Sequence, residues 1–221
     1  MTISIAIDGP AGAGKSTIAK MLAESLNYTY LDSGAMYRAV TLIALDKNIN
    51  IEDKESIGEL VKELNIDVEY IDNHFKIYIN GDEKTKEIRK ALVDNNVSAV
   101  ARIKKVRDEL VKKQREIAAK KDIVMDGRDI GTRVLPKADY KFYITASVKE
   151  RAKRRYKDVI KRGEKNKDFQ EVKEEIIRRD KIDTNREYSP LRKADDALEI
   201  DTTNLSKKEV LEKILKVIRG E

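Results

Sequence analysis

Alternating short apolar runs and amphipathic stretches predict an α/β fold, a parallel β-sheet with helices on both faces. Three observations carry this expectation. An apolar run at 3–7 passes through a glycine-rich loop into helical spacing at Ile18, Met21, Leu22 and Leu26. Buried-strand runs return at 122–125 and 140–145, the first after a helical pattern and the second before one. The one segment with strict two-residue alternation, 67–83, is short enough to be a hairpin inserted into such a chain.

Taken in order, the strand at 3–7 is bounded by Asp8-Gly9-Pro10, and a second strand is expected at 28–31. Helices follow at 35–47 and 51–64, the latter opened by acidic residues that suit a helix N-terminus. Val68 and Tyr70, then Phe75, Ile77 and Ile79, alternate around turn signals at Asn73 and Asn80-Gly81. Val97, Val100, Ile103, Val106, Leu110 and Ile117 predict one long amphipathic helix. After the strand at 140–145, a helix is expected at about 148–161, a polar exposed loop at 162–167 and a charged helix to about 182. A last strand at 197–200 and a helix marked by Val210, Leu211, Ile214 and Ile218 close the chain. There is no internal repeat or low-complexity linker, so residues 1–221 read as a single domain.

Composition narrows the function classes. The 46 basic and 40 acidic side chains nearly cancel, leaving a formal charge of +6. Such a surface is laced with charge and carries no nucleic-acid-binding tail, while the modest basic excess suits phosphate-bearing ligands. With no cysteine, disulfides and thiolate metal sites are excluded. No apolar run approaches the ~20 residues needed to span a bilayer, and Met1 leads directly into a strand-like segment. The expectation is a cytoplasmic protein without a membrane partner.

Gly9, Pro10, Ala11, Gly12, Ala13, Gly14, Lys15 and Ser16 have phosphate-loop spacing, with Thr17 continuing into a helix. Small residues let backbone N–H groups curl around phosphate oxygens, the helix N-terminus adds its dipole, Lys15 supplies a point charge and Ser16 a magnesium ligand. Asp126 ends an apolar strand and is a second candidate for the magnesium ion, although a strand-capping carboxylate would look the same. Gly127-Arg128-Asp129 follows at what would be the carboxyl end of a parallel strand, where ligands bind.

A phosphate loop alone serves hydrolysis, signalling or transfer. Arg151, Arg154, Arg155 and Arg162 precede the polar loop, and Arg178, Arg179 and Arg186 follow it around Asp183. They fit a solvated face rich in salt bridges, or a lid that closes over transferring phosphates and excludes water. A regulatory NTPase that binds nucleic acid is a rival class, but the chain lacks a basic tail or an aromatic platform for single strands.

GPAGAGKST at 9–17, LDSGAMYR at 31–38, MDGRDIGT at 125–132 and RRDKIDTNR at 178–186 together resemble the long bacterial cytidylate kinases of the nucleoside monophosphate kinase family. The resemblance runs from about Ile3 to the C-terminus and includes the 67–83 hairpin. It implies the phosphate-loop nucleoside monophosphate kinase fold and transfer of the ATP γ-phosphate to CMP and dCMP in pyrimidine metabolism. It also implies Mg2+ with ATP, a monomer, no nucleic-acid partner, an acceptor-binding region at about 35–120 that includes an insertion at 67–90, and a lid at about 155–172. By the same resemblance, residues 9–17 hold ATP, with Ser16 and Asp126 toward the metal. Ser33 approaches the acceptor, and Arg38, Arg128 and Arg186 grip its phosphate. Asp129, Ser98 and Arg107 face cytosine, whose 4-amino donor calls for a carboxylate, and Asp183 with Arg179 meets the ribose. The expected catalytic set is Lys15, Arg128, Arg151, Arg155 and Arg186, with a kinase for UMP or another small acceptor as the near rival. His74, the only histidine, is expected at the surface.

Overall fold

A computed structural model describes residues 2–71, 74–161, 163 and 168–221. In chain order the first elements are β1 (Ser4–Asp8), α1 (Lys15–Leu26), β2 (Thr29–Asp32), α2 (Ser33–Asp46), α3 (Lys54–Glu63), β3 (Ile66–Ile71), β4 (His74–Ile79) and β5 (Asp82–Glu83). These are followed by α4 (Ala91–Val100), α5 (Lys104–Ala118), β6 (Ile123–Asp126), β7 (Tyr140–Thr145), α6 (Val148–Lys161), α7 (Phe169–Asn185), β8 (Leu198–Asp201) and α8 (Lys207–Arg219).

Five strands form a parallel sheet in the order β2-β6-β1-β7-β8. Burial explains the order. Ile5, Ala6 and Ile7 of β1 and Ile123, Val124 and Met125 of β6 are at most 1% exposed, as interior strands of a covered parallel sheet require. The register sets Ile7 opposite Asp126, and Asp126 opposite Asp32. Thus the chain segments leaving β1, β6 and β2 emerge together at one edge, where ligand crevices of parallel sheets form.

The expected hairpin is present as an antiparallel β3-β4-β5 sheet, extended by a short third strand. Asn80 and Gly81 both take positive φ at its second turn, while the signal at Asn73 lies outside the described residues. Tyr70 and Phe75 meet Tyr30 of β2 edge-on at 5.6 and 5.7 Å, so aromatic packing moors the insertion to the main sheet.

The single helix expected across 97–117 is two. Helix α4 stops at Val100 and α5 starts at Lys104, with Ile103 extended between them. Arg107 Nη1 donates to the Ala101 carbonyl at 3.0 Å and so satisfies a backbone group freed at the break. Val97, Val100, Ile103, Val106 and Leu110 are all buried in one core, so the apolar period runs straight through the bend. Helix α7 reaches Asn185, beyond the expected end near 182, and starts with a capping box between Asp168 and Glu171. Arg162 and residues 164–167 of the expected loop lie outside the described residues. His74 is exposed, as expected. Among the described residues no helix is long and apolar enough to cross a membrane.

Candidate active site

The loop between β1 and α1 forms one wall of a cleft of about 880 Å³. Gly9 has φ of +145°, and a Cβ there would stand 1.9 Å from the Ile144 carbonyl oxygen, so only glycine permits this start to the loop. Lys15 is buried, and its Nζ donates to the Pro10 carbonyl at 2.8 Å. Burial, then the nearby Arg128 charge, pushes its ammonium down to about 7. An incoming phosphate would replace a weak acceptor with a charged one.

At the carboxyl end of β6, Asp126 accepts from Ser16 Oγ at 2.8 Å and from the Tyr30 hydroxyl at 2.7 Å. Burial raises its carboxyl above the ordinary range. One hydroxyl and one carboxylate 2.8 Å apart are oxygen donors of the kind that would suit Mg2+, which in phosphoryl-transfer sites takes few protein ligands and completes its shell with phosphate and water. Among the described residues there is no cluster of three or more His, Cys, Asp or Glu that could enclose a metal by itself.

LDSGAMYR spans the end of β2 and the first turns of α2. Asp32 caps α2 by accepting from the Ala35 N–H at 3.0 Å and also pairs with Arg89. Ser33 Oγ donates to the Asp126 carbonyl at 2.7 Å. That approach needs Gly127, since a Cβ there would meet Ser33 Oγ at 2.5 Å. Arg38 projects from α2 and its Nε donates to Asp94 Oδ1 at 3.0 Å; Arg155 Nη2 of α6 reaches the other oxygen at 2.9 Å.

The segment after β6 is fixed from β1. Buried Asp8 accepts the Ile130 and Gly131 N–H groups at 2.8 and 2.7 Å, and burial raises its carboxyl to about 6 despite those bonds. The segment so held carries Arg128 and Asp129. Arg128 Nε pairs with Asp183 Oδ2 of α7 at 2.9 Å. Burial opposes ionisation of Asp183, but Arg128, Arg179 and Arg186 outweigh it and hold the carboxyl low. Asp183 is therefore paired directly with Arg128, while Arg179 contributes at longer range.

Arg179 lines the cleft, and among the described residues its Nε has no acceptor. Burial, then the like charges of Arg128 and Arg38, pushes its guanidinium down to about 10. A cation crowded by cations is a site prepared for an anion. Deeper in, Asp129 pairs with Arg107 in a contact whose side chains are only 5% and 4% exposed, and its other oxygen lies 3.8 Å from Arg186 Nη2. The Arg107 guanidinium stacks over Tyr37, 5.1 Å from the ring centre.

The cleft brings together Ala11 through Thr17, Ser33, Arg38, Ser98, Asp126, Arg128, Asp129, Arg155, Arg179, Asp183 and Arg186. Gly9 and Pro10 shape its loop from behind. Two expected contacts are placed elsewhere. Arg107 stands behind Asp129 and borders a smaller cavity of about 330 Å³. Arg151 is buried beneath the phosphate loop, donating to the Ala146 carbonyl at 2.9 Å and the Ala11 carbonyl at 3.1 Å and pairing with Asp180 at 2.7 Å. Its neighbour Arg154 does line the cleft, with bonds to the carbonyls of Ala13 and Thr202 at 3.2 and 2.8 Å.

Sequence reasoning missed Asp8 and Asp94. Asp8 had a signal, since it ends β1 as Asp126 ends β6. Asp94 had none, being one acidic residue on an amphipathic helix.

The sequence matches the cytidylate kinase family over residues 5–220. A cytidylate kinase of Bacillus subtilis is 51% identical over 216 residues, covering 98% of this chain and 96% of the relative. One from Bacillus cereus is 50% identical over 218 residues, covering 99% and 96%. Among solved structures, an uncharacterized protein from Eubacterium ventriosum superposes with a TM-score of 0.52 at 16% identity, covering 100% of both chains. A protein from Thermus thermophilus gives 0.50 at 19%, covering 99% of this chain and 97% of its own. These two likenesses concern the fold alone. With the family match spanning nearly the whole sequence, the chain belongs to the cytidylate kinase family.

Proposed function

We infer that this chain is an ATP-dependent kinase that transfers the γ-phosphate of ATP to CMP and dCMP, giving CDP or dCDP and ADP. The observation that carries the reading is the meeting, in one cleft, of a phosphate loop with Arg38, Arg128 and Arg179, next to the buried Arg107–Asp129 pair. A phosphate donor fits the first, a phosphate acceptor the second, and a base with an amino donor the third.

The attacking atom is an acceptor phosphate oxygen already ionised near neutral pH, so transfer needs alignment and charge stabilisation more than a protein base. Residues 9–17 cradle the ATP phosphates, and Lys15 leaves the Pro10 carbonyl for them. Ser16 and Asp126 would hold Mg2+, and the ion would supply charge neutralisation on the donor phosphates. Arg38, Arg128 and Arg179 take the acceptor phosphate, joined by Arg186 from the end of α7. Arg155, which lines the cleft, stabilises the phosphoryl group in flight, whereas Arg151 serves by holding the loop. Asp129 accepts from the cytosine 4-amino group, Arg107 and Ser98 support the rest of the base, and Asp183 meets the ribose. A monomer acting in the cytoplasm, with no nucleic-acid partner, completes the reading. Among the described residues, those of 155–172 belong to the lid and those of 35–120 to the acceptor side.

ADP release from ATP and Mg2+ is to be measured across CMP, dCMP, UMP, AMP and GMP. Turnover is expected with CMP and dCMP, weakly with UMP. Rapid turnover with AMP or GMP and none with CMP would overturn the reading.

A further inference from the structure

Asp94 lies on α4, one turn from Ser98, and its side chain is 5% exposed. Each of its oxygens meets a different guanidinium. Oδ1 accepts from Arg38 Nε of α2 at 3.0 Å, and Oδ2 accepts from Arg155 Nη2 of α6 at 2.9 Å. The two arginines therefore approach from separate elements and share one buried carboxylate.

The use of donors matters. Arg38 spends only its Nε on Asp94, and its Nη1 stands 3.0 Å from where a Cβ on Gly34 would lie, over the glycine turn that lines the cleft. Among the described residues, Arg155 donates through one Nη2 bond and keeps Nε and Nη1. An arginine offers five N–H donors in a rigid fork, so fixing one edge aims the other. Arg38 and Arg179 also repel one another, and a carboxylate between cations lowers the cost of gathering them before any phosphate arrives.

We propose that Asp94 is a positioning residue for phosphoryl transfer: by bridging Arg38 and Arg155, it aligns the guanidinium that holds the acceptor phosphate with the one that meets the moving phosphoryl group. The inference rests on the roles given above to Arg38 and Arg155. It gives α4 a function beyond carrying Ser98, since α4 sets the relation between the acceptor side and α6. In-line transfer depends on that relation, and a misaligned cation loses its effect on the transition state before it loses ground-state binding.

The test is a double-mutant cycle on the full-length chain, with Asp94→Asn and Arg155→Gln measured singly and together. Steady-state kcat and KM for CMP and for ATP are read with thermal melts. Asp94→Asn is expected to lower kcat by about tenfold or more when Arg155 is present, and by less than about threefold in the Arg155→Gln background. The rise in KM for CMP, which acts through Arg38, should be the same in both. Should the Asn variant fail to fold, Asp94→Glu keeps the charge and displaces both guanidiniums by one methylene, with the same pattern expected. An unchanged kcat, or losses that simply multiply, would overturn the inference while leaving CMP kinase activity intact. Wild-type kcat in Arg155→Gln would overturn it by removing the role of Arg155 on which it rests. No CMP turnover by the wild-type chain would instead sink the functional reading.

Discussion

Replacing Asp129 with Asn removes one charge from a buried cluster and changes nothing in side-chain size. Asp129 and Arg107 are 5% and 4% exposed at the side chain, and Arg186 is 4% exposed. Removing one partner of such a pair leaves an uncompensated buried cation and costs about 3–5 kcal/mol. In a domain of this length each kcal/mol lowers the melting temperature by about 2–4 °C, so a drop of roughly 6–20 °C is expected. Base discrimination is a separate consequence. On the role proposed for Asp129, its carboxylate would accept from the 4-amino group of cytosine and would face a carbonyl on uracil, at a cost of about 1–3 kcal/mol. An amide can turn its NH2 to that carbonyl, so the CMP-to-UMP ratio of kcat/KM should fall roughly 5- to 150-fold. The assay is coupled ADP release at a temperature below the variant's melting transition, with both acceptors varied to saturation. An unchanged ratio in a folded variant would refute the base-reading role, and an unchanged melting temperature would refute the energetic account of the cluster.

Other expectations follow from the same geometry. Burial and Arg128 push Lys15 down to about 7, and a bound polyphosphate would favour its charged form; ATP binding near pH 8 should therefore take up close to one proton, falling toward zero below pH 6. Calorimetry in buffers of different ionisation enthalpy measures that uptake. Arg179→Ala removes a crowded cation whose Nε has no acceptor among the described residues, so the melting temperature should rise or hold while KM for CMP rises roughly 10- to 150-fold, the value of a lost charged hydrogen bond. Arg151→Ala strands Asp180 and two loop carbonyls, so it should cost about 3–5 kcal/mol of stability and weaken ATP binding. Thermal melts and the KM for ATP check this variant.

The phosphate loop was legible because it is contiguous: its glycines, Lys15 and Ser16 all lie between the end of β1 and the first turn of α1. The strand ends at Asp126 and the turn at Gly127 were legible for a similar reason, since apolar runs mark where β6 stops. Arg151 shows the limit. Its helix was readable, but nothing in helical spacing says which of Arg151, Arg154 and Arg155 turns under the phosphate loop and which into the cleft. Asp94 and Asp8 were hidden because their partners lie 56 and 122 residues away, at Arg38 and Ile130. The break at 101–103 escaped because both helices bury the same face, so the apolar period continues where the hydrogen-bond ladder does not. No Gly or Pro marks the spot.

LDSGAMYR brings Ser33 and Arg38 to the edge where β2, β6 and β1 end, and the account stands or falls on what that edge holds. A crystal structure of the chain with CMP bound tests this directly. The phosphate is expected within hydrogen-bonding distance of Arg38, Arg128 and Arg179, with the cytosine amino group on Asp129. A phosphate on other residues, or a base stacked among those three arginines, would contradict it.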